Sequence, residues 1–428
     1  MTSAFRRLSR AGTTPLSWAI ALWLCCATSA AADDLVLRWN DIGARTANAT
    51  NPFLQARHST IVQLAVFEAV NAITGEYESY LASPPQAAEG ASVDAAVVTA
   101  AHHVLRTYFP AAGATLDAER DADLAAIPDG QGKTDGIALG LAAANAMITL
   151  RSSDGALPLT TLVPTSTAPG DYQLTTGCTA GLFYNWQDVT PFAIASAWNY
   201  LLPPPTYLGS NAYRKDYEEV WAYGAQGSTL RTDERSEVVR LYAASSPTFL
   251  LSMATRQIAV ARGTSLAENA RALALIHMAI NDALIASFLN KYHYNHWRPE
   301  TGIRNGDLDG NSRTTKDAAF ATFIGTPCFP SYPSNHASGS GAGLEAMRRL
   351  FGAAGHAITL TNTVPALGAL PSTTITRTYS QLEAIADDVD DARVLGGIHW
   401  RYDQEAGHVL GRAVATDVVK TTLRPVRP

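Results

Sequence analysis

The chain reads as an all-α protein, a helical bundle with long irregular connections. Three observations point there. Apolar residues recur at helical spacing over 58–74, where Ile61, Leu64 and Ala65 share one face and Val62, Val66 and Ala69 the adjoining one. Segments 92–109 and 134–151 repeat the pattern and are rich in Ala, Val and Leu, which suits close helix packing. Strand-like composition is confined to 353–377, where Thr, Val and Ile are dense enough for short strands.

Taken in order, residues 1–32 have the features of an export signal. Arg6, Arg7 and Arg10 form a basic start, an apolar run covers 18–27, and Ala30, Ala31 and Ala32 offer a small-residue cleavage site. The expectation is therefore an exported, periplasmic or secreted protein. Residues 33–212 form an N-terminal helical region with an irregular connection, and 213–428 a C-terminal helical bundle. Within the first, 152–212 is rich in Pro, Thr and Gly, including Pro203, Pro204 and Pro205 in a row. Its aromatics (Tyr172, Phe183, Tyr184, Trp186, Phe192) predict that it is packed rather than free. Beyond 213, Ser265 and Glu268 form a capping-box pattern opening a helix towards Lys291. Its inner stripe is Ala270, Leu273, Ile276 or His277, Ile280, Leu284 and Phe288. Ser380 and Glu383 repeat the capping pattern ahead of Arg393, and a last helix is expected over 402–420.

Composition bounds the function. The chain has 428 residues, 47% of them hydrophobic and only 16% charged, which excludes a disordered or coiled-coil protein. A net charge of −6 excludes nucleic-acid binding by bulk electrostatics. Losing residues 1–32 removes three arginines and no acidic residue, leaving 29 basic against 38 acidic side chains. Any anion site must then be a local concentration of cations. Beyond the signal no stretch reaches 18 uninterrupted apolar residues, so no stable membrane anchor is expected. Nothing specifies an oligomer. Cys178 and Cys328 remain after the signal, either as one disulfide or as two buried thiols.

Chemistry concentrates in three short blocks. Lys291 and Arg298 are seven residues apart among Tyr292, Tyr294 and Trp297. A mobile ammonium and a planar guanidinium are complementary holders of an oxyanion. Pro299 biases Arg298 out of the helix, to its end or just beyond. In Pro333-Ser334-Asn335-His336, Ser334 is a good N-cap, and the helix start would present free N–H groups to an anion. Finally, Arg393 precedes His399 across Gly396 and Gly397, which allow a turn, and Asp403 lies four residues after His399 on the same helical face. A carboxylate there fixes the imidazole tautomer and raises its basicity. Cations in apolar, aromatic-flanked sequence need a negative partner. The set is an inventory for holding a tetrahedral oxyanion and doing chemistry on it.

The order of these blocks resembles that of the vanadium-dependent haloperoxidase and type 2 phosphatidic acid phosphatase superfamily, best over 265–420. Two positions depart from its pattern: Asn335 stands where the family has Gly, and Ala392 where it has Ser. The resemblance implies the helical-bundle fold of that superfamily and vanadate as cofactor. It implies that Lys291, Arg298, Ser334, the N–H of Asn335 and Arg393 bind the oxyanion. His399 would be the vanadium ligand and His336 the acid–base residue. Lys291 would also act on peroxide, and Asp403 would support His399. Phe329 resembles an aromatic that the chloroperoxidase branch places beside the metal, and Trp297 is a further pocket candidate. Partners would be hydrogen peroxide, a halide and a small organic substrate. The alternative is a secreted acid phosphatase acting on a phosphate ester, with His399 as nucleophile through a phosphohistidine. A zinc site from His293, His296 and His399 is a weaker reading.

Overall fold

A computed structural model describes residues 34–48 and 50–426. The export segment of residues 1–32 lies outside the described residues. The N-terminal helices are α1 (Leu35–Ala47), α2 (Pro52–Thr74), α3 (Val93–Tyr108), α4 (Gly113–Ala125) and α5 (Gln131–Leu150). An irregular stretch follows, holding the two-residue strands β1 (Thr161–Leu162) and β2 (Gly181–Leu182). Then come α6 (Asn211–Tyr223), α7 (Asp233–Ala243), α8 (Pro247–Arg262), α9 (Leu266–Tyr294) and α10 (Pro299–Arg304). Last are α11 (Asn335–Phe351), β3 (Ala354–Val364), β4 (Thr373–Gln381), α12 (Leu382–Val394) and α13 (Arg401–Thr421). The protein is mainly helical, as its sequence predicts.

Local chemistry sets these boundaries. Asn51 caps α2 by accepting from the N–H groups of Phe53 and Leu54, Pro52 occupies the first turn, and Gly75 ends the helix at φ 63°. Ser265 and Glu268 close the expected capping box on α9. The second box does not form. Strand β4 runs through Gln381, which pairs with Ala354, so the chain enters α12 straight from the ladder and no side chain caps it. The hairpin lies where Thr, Val and Ile predict strands. Ile358, Leu360, Val364, Ile375 and Tyr379 face inward, while the hydroxyls of Thr361 and Thr376 pair outside at 3.0 Å.

The centre of the molecule is α9. A one-sided stripe is too narrow a description of it, because 266–294 is buried almost all round, Asn281, Asp282 and Asn290 included. Among the described residues it is the one helix long and apolar enough to cross a membrane, yet that stretch is enclosed by α2, α11 and α13. Its polar side chains fasten the irregular segment. Asp282 accepts from the backbone N–H groups of Phe192 (2.7 Å), Ala193 (2.7 Å) and Ile194 (3.0 Å). Asn290 accepts from Leu202 N–H at 2.8 Å and donates to the Tyr200 carbonyl. Tyr172, Trp186 and Phe192 are buried, so the segment is packed as its aromatics predict.

Helices α11 and α13 approach closely because small residues face each other. A Cβ on Gly407 would lie 2.7 Å from both the Ala337 Cβ and the Ser334 carbonyl oxygen. This contact brings the start of α11 against the start of α13, where Ser334 N–H donates to the Asp403 carbonyl at 2.8 Å. Gly407→Ala should therefore lower unfolding free energy by about 1–3 kcal/mol, the usual range for overpacking; urea titration of both proteins measures it, and an unchanged midpoint would show that the helices have room.

Burial also sets the response to acid. His58, His277 and His296 are pushed down to about 3, chiefly by burial. Their unfolded value is near 6.5, so below that pH the unfolded chain binds protons the folded one refuses. The stability they contribute is full above pH 6.5 and falls by about 1.4 kcal/mol per group per pH unit beneath it. Asp216 and Asp282, raised to about 6 by burial, act in the opposite sense below pH 6. Three histidines outweigh two carboxyls. Denaturant unfolding at pH 5 should give a value lower than at pH 7 by a few kcal/mol; equal values would mean these imidazoles are not held neutral.

Candidate oxyanion site

Four chain segments build the site. The first runs from the end of α9 to the start of α10. Asn295 ends α9 at φ 46°, so the helical phase stops before Arg298, which becomes the residue preceding α10 at φ −80°, ψ 156°. Lys291 and Arg298 thus come together by a turn of the chain between α9 and α10. The extended piece is held by the earlier irregular segment: Trp297 N–H donates to Gly170 O at 2.8 Å and Tyr172 N–H to Asn295 O at 2.6 Å. The second segment, 326–334, is tied down by a Cys178–Cys328 disulfide with Cα atoms 5.5 Å apart, which resolves the two cysteine readings.

The third segment is the start of α11. Ser334 is its N-cap, with its hydroxyl accepting from Ala337 N–H at 3.3 Å. The first-turn N–H groups of Asn335 and His336 have no partner within the helix, by its geometry. The fourth joins α12 to α13. Gly397 at φ 83° lets its N–H reach Val394 O at 2.9 Å and Ile398 N–H reach Arg393 O at 3.2 Å, the paired bonds of a Schellman turn. This turn carries the chain from Arg393 back to His399, as the glycine pair predicts.

The cations are fully enclosed. Arg298 donates from Nε to Phe329 O and from Nη1 to Ile398 O, both at 2.8 Å, and Nη1 also lies 2.9 Å from His399 Nε2. Its Nη2 is buried and has no hydrogen-bond partner among the described residues. Nor do Nε and Nη1 of Arg393. Burial pushes Arg298 down to about 10 and Arg393 to about 9, so both remain cations at neutral pH. Lys291 differs: its Nζ donates to the carbonyls of Pro330 (2.9 Å), Ser331 (2.7 Å) and Pro333 (2.6 Å). Burial, then the charge of Arg298, lowers its pKa. Three acceptors nonetheless match the ammonium, the form with three N–H donors. Its charge reaches the site while its hydrogen bonds hold the 330–333 loop.

Both imidazoles are neutral. Burial, then Arg298, Lys291 and Arg393, hold His399 well below the usual histidine range. Its Nδ1 lies 2.8 Å from Asp403 Oδ2, so Nδ1–H donates there and Nε2 keeps a lone pair. Asp403 Oδ2 also accepts from Ser331 Oγ at 2.5 Å and Trp400 N–H at 3.1 Å. Burial raises the Asp403 carboxyl, and Ser331, Lys291 and Arg298 oppose that rise. Three donors on one oxygen fit the carboxylate. His336 is lowered by burial and by Arg393, with backbone groups of Ser245 and Tyr242 beside it. Three cations thus face one carboxylate, and three guanidinium nitrogens are left without acceptors. An oxyanion bound here would supply both the missing charge and the missing acceptors.

Phe329 sits under the cations, its ring centroid 5.0 Å from Arg298 Cζ and 5.3 Å from Lys291 Nζ. It packs with Phe53, Phe183 and Phe288. Trp297 is buried and its carbonyl accepts from Trp400 Nε1 at 3.3 Å. The zinc reading has no geometry: His293 stacks edge-on against Trp198, His296 bonds Tyr402 and His399 bonds Asp403. Sequence reasoning missed Ser331, which no spacing rule singles out. It also missed Tyr172, whose buried hydroxyl has no partner among the described residues and which feels the Arg298 charge.

The fold is a helical bundle of the vanadium haloperoxidase type, and its buried cation cluster is suited to an anion. Residues 271–428 match the family model of the VCPO second helical-bundle domain. A 96-residue stretch is 35% identical to vanadium chloroperoxidase from Curvularia inaequalis, covering 20% of this chain and 15% of that protein's length. A structure described as the first bacterial vanadium-dependent iodoperoxidase superposes with a TM-score of 0.74 at 22% identity, over 92% of this chain and 97% of the other. An apo-type bacterial vanadium-dependent chloroperoxidase gives 0.71 at 14% identity, over 87% and 94%. Residues 271–428 thus match that domain family, and the chain is similar to vanadium chloroperoxidase over a short stretch only.

Gly397→Ala should move His399, because the added Cβ would meet the backbone of Gly224 at a φ that L-residues rarely adopt. Isothermal titration with orthovanadate should show binding weakened by about tenfold or more; parent-like affinity would mean the turn does not set the site.

Proposed function

We propose that this protein is a vanadate-dependent haloperoxidase that uses hydrogen peroxide to oxidise halide to hypohalous acid. The observation that carries the reading is the convergence of unpaired Arg298 and Arg393 nitrogens beside a deprotonated His399 Nε2. The residues fit vanadate. Arg298 Nη2 and Arg393 Nε and Nη1 would donate to its oxygens, with Asn335 N–H and Ser334 at the α11 terminus and Lys291 adding charge. His399 Nε2 would be the vanadium ligand. When bound, vanadate supplies Lewis acidity that activates peroxide towards halide without a change of metal oxidation state.

The chain's own groups do the rest. Asp403 holds the Nδ1 proton of His399, so the lone pair sits on Nε2, where it accepts from Arg298 Nη1 and would be given up to a bound vanadate. Neutral His336 can accept the proton that peroxide must lose and return it as product water forms. Phe329 and the aromatics behind it keep bulk water from the cations, which strengthens their field. Export is part of the proposal, supported by the composition of residues 1–32 and by a disulfide, which persists in an oxidising compartment.

One observation also favours the phosphatase alternative. A neutral imidazole with a carboxylate on Nδ1 is an activated nucleophile, and in-line attack by Nε2 on a phosphate ester would give a phosphohistidine; His336 would have to gain a proton beside the bound anion before it could protonate the leaving alcohol.

Assays with and without orthovanadate separate the two. Dye halogenation that needs peroxide, halide and vanadate together is the expected result; phosphomonoester hydrolysis that vanadate inhibits would replace it with the alternative. His399→Ala should reduce halogenation by at least about a thousandfold, on the order seen when an essential catalytic group is lost. A variant still halogenating at parental rate would remove His399 from the site.

A further inference from the structure

We infer that Ser331 is a positioning residue that fixes the orientation and tautomer of His399 through Asp403. The inference rests on the oxyanion reading of the site and adds a residue to it. Ser331 is fully buried and uses each of its polar groups on a different part of the site. Its N–H donates to His296 O at 2.8 Å, and its carbonyl accepts from Lys291 Nζ at 2.7 Å. Its hydroxyl donates to Asp403 Oδ2 at 2.5 Å and lies 3.4 Å from His399 Nδ1.

The carboxylate shows why the hydroxyl matters. Oδ2 of Asp403 takes three donors, from His399, Ser331 and Trp400, while buried Oδ1 has no partner among the described residues. Left alone, a carboxylate would share donors between its oxygens by rotating about its Cβ–Cγ bond. Two anchors oppose that rotation. Trp400 N–H is fixed by the helix start, and Ser331 is fixed by its own backbone bonds to His296 and Lys291. The oxygen that receives the His399 Nδ1 proton is thereby chosen in advance. With Nδ1 committed, the lone pair must sit on Nε2, the nitrogen that faces Arg298. Ser331 also joins Lys291 to the His399–Asp403 pair, so loop position and imidazole orientation are set by one residue.

The test compares parent, Ser331→Ala and Ser331→Cys, the last keeping nearly the same volume with a weak donor should the alanine variant fail to fold. Titration calorimetry reads orthovanadate affinity, and nitrogen NMR of 15N-histidine-labelled protein reads the His399 tautomer, assigned by its absence in His399→Ala. The expected result is affinity lowered about 10- to 100-fold, the range for residues behind a metal ligand, together with His399 shifts moving towards a mixture of tautomers. Lowered affinity with unchanged His399 shifts would overturn the inference, since the serine would then act through loop structure alone. Unchanged affinity and unchanged shifts would overturn it as well. Parent protein that binds no orthovanadate would refute the oxyanion reading, while the His399 shifts would still decide the role of Ser331.

Discussion

Three buried cations gathered around one point, with a single carboxylate to answer them, are the constraint on which the rest of the structure turns. Like charges in a low-dielectric interior repel strongly, and each has lost its water. The chain holds them by giving backbone carbonyls to the donors that do not face the site: Phe329 and Ile398 for Arg298, and Pro330, Ser331 and Pro333 for Lys291. Those carbonyls come from non-helical segments, because helical carbonyls are already committed. The irregular loops between α10 and α11 and between α12 and α13 are therefore part of the electrostatics.

The same constraint explains the centre of the bundle. A loop that must present carbonyls inward needs a rigid wall behind it, and α9 with α11 and α13 supplies one. Small residues at the α11–α13 contact bring the two helix starts together, so His336 and His399 approach the pocket from adjacent termini. Aromatic rings fill the side towards Phe53 and Phe288, where Phe329 faces the cations with its ring.

Much of this was legible in the sequence, and the reasons are physical. Helices α2, α3, α5 and α13 follow from periodicity, since a buried face must repeat with the helical turn. The three blocks were readable because cations and imidazoles are conspicuous in apolar surroundings, and the glycine pair before His399 announced a turn. Other features were hidden. The pattern at 380–383 looks like a cap, yet pairing of β4 with β3 decides where α12 begins, and pairing is a long-range fact. Ser331 resembles any small polar residue in a Pro-rich loop; only the fold reveals that its hydroxyl meets a carboxylate 72 positions away. The sequence marks Lys291 as an anion contact, and no spacing could show that its three donors hold a loop. Whether Cys178 and Cys328 meet was equally undecidable from a separation of 150 residues.

That disulfide has a bearing on how the pocket comes into being. It fastens the residue just before Phe329 to a stretch lying far outside the matched domain, and Gly170 and Tyr172 grip the strand leading to Arg298 from the same side. The chemical groups belong to the C-terminal half, but the frame keeping them in register is borrowed from its predecessor in the chain. A bundle excised at residue 271 would keep Lys291, Arg298, Arg393 and His399 and lose the tethers from Gly170, Tyr172 and Cys178, so the frame around these side chains is longer than the domain family that matches their motifs.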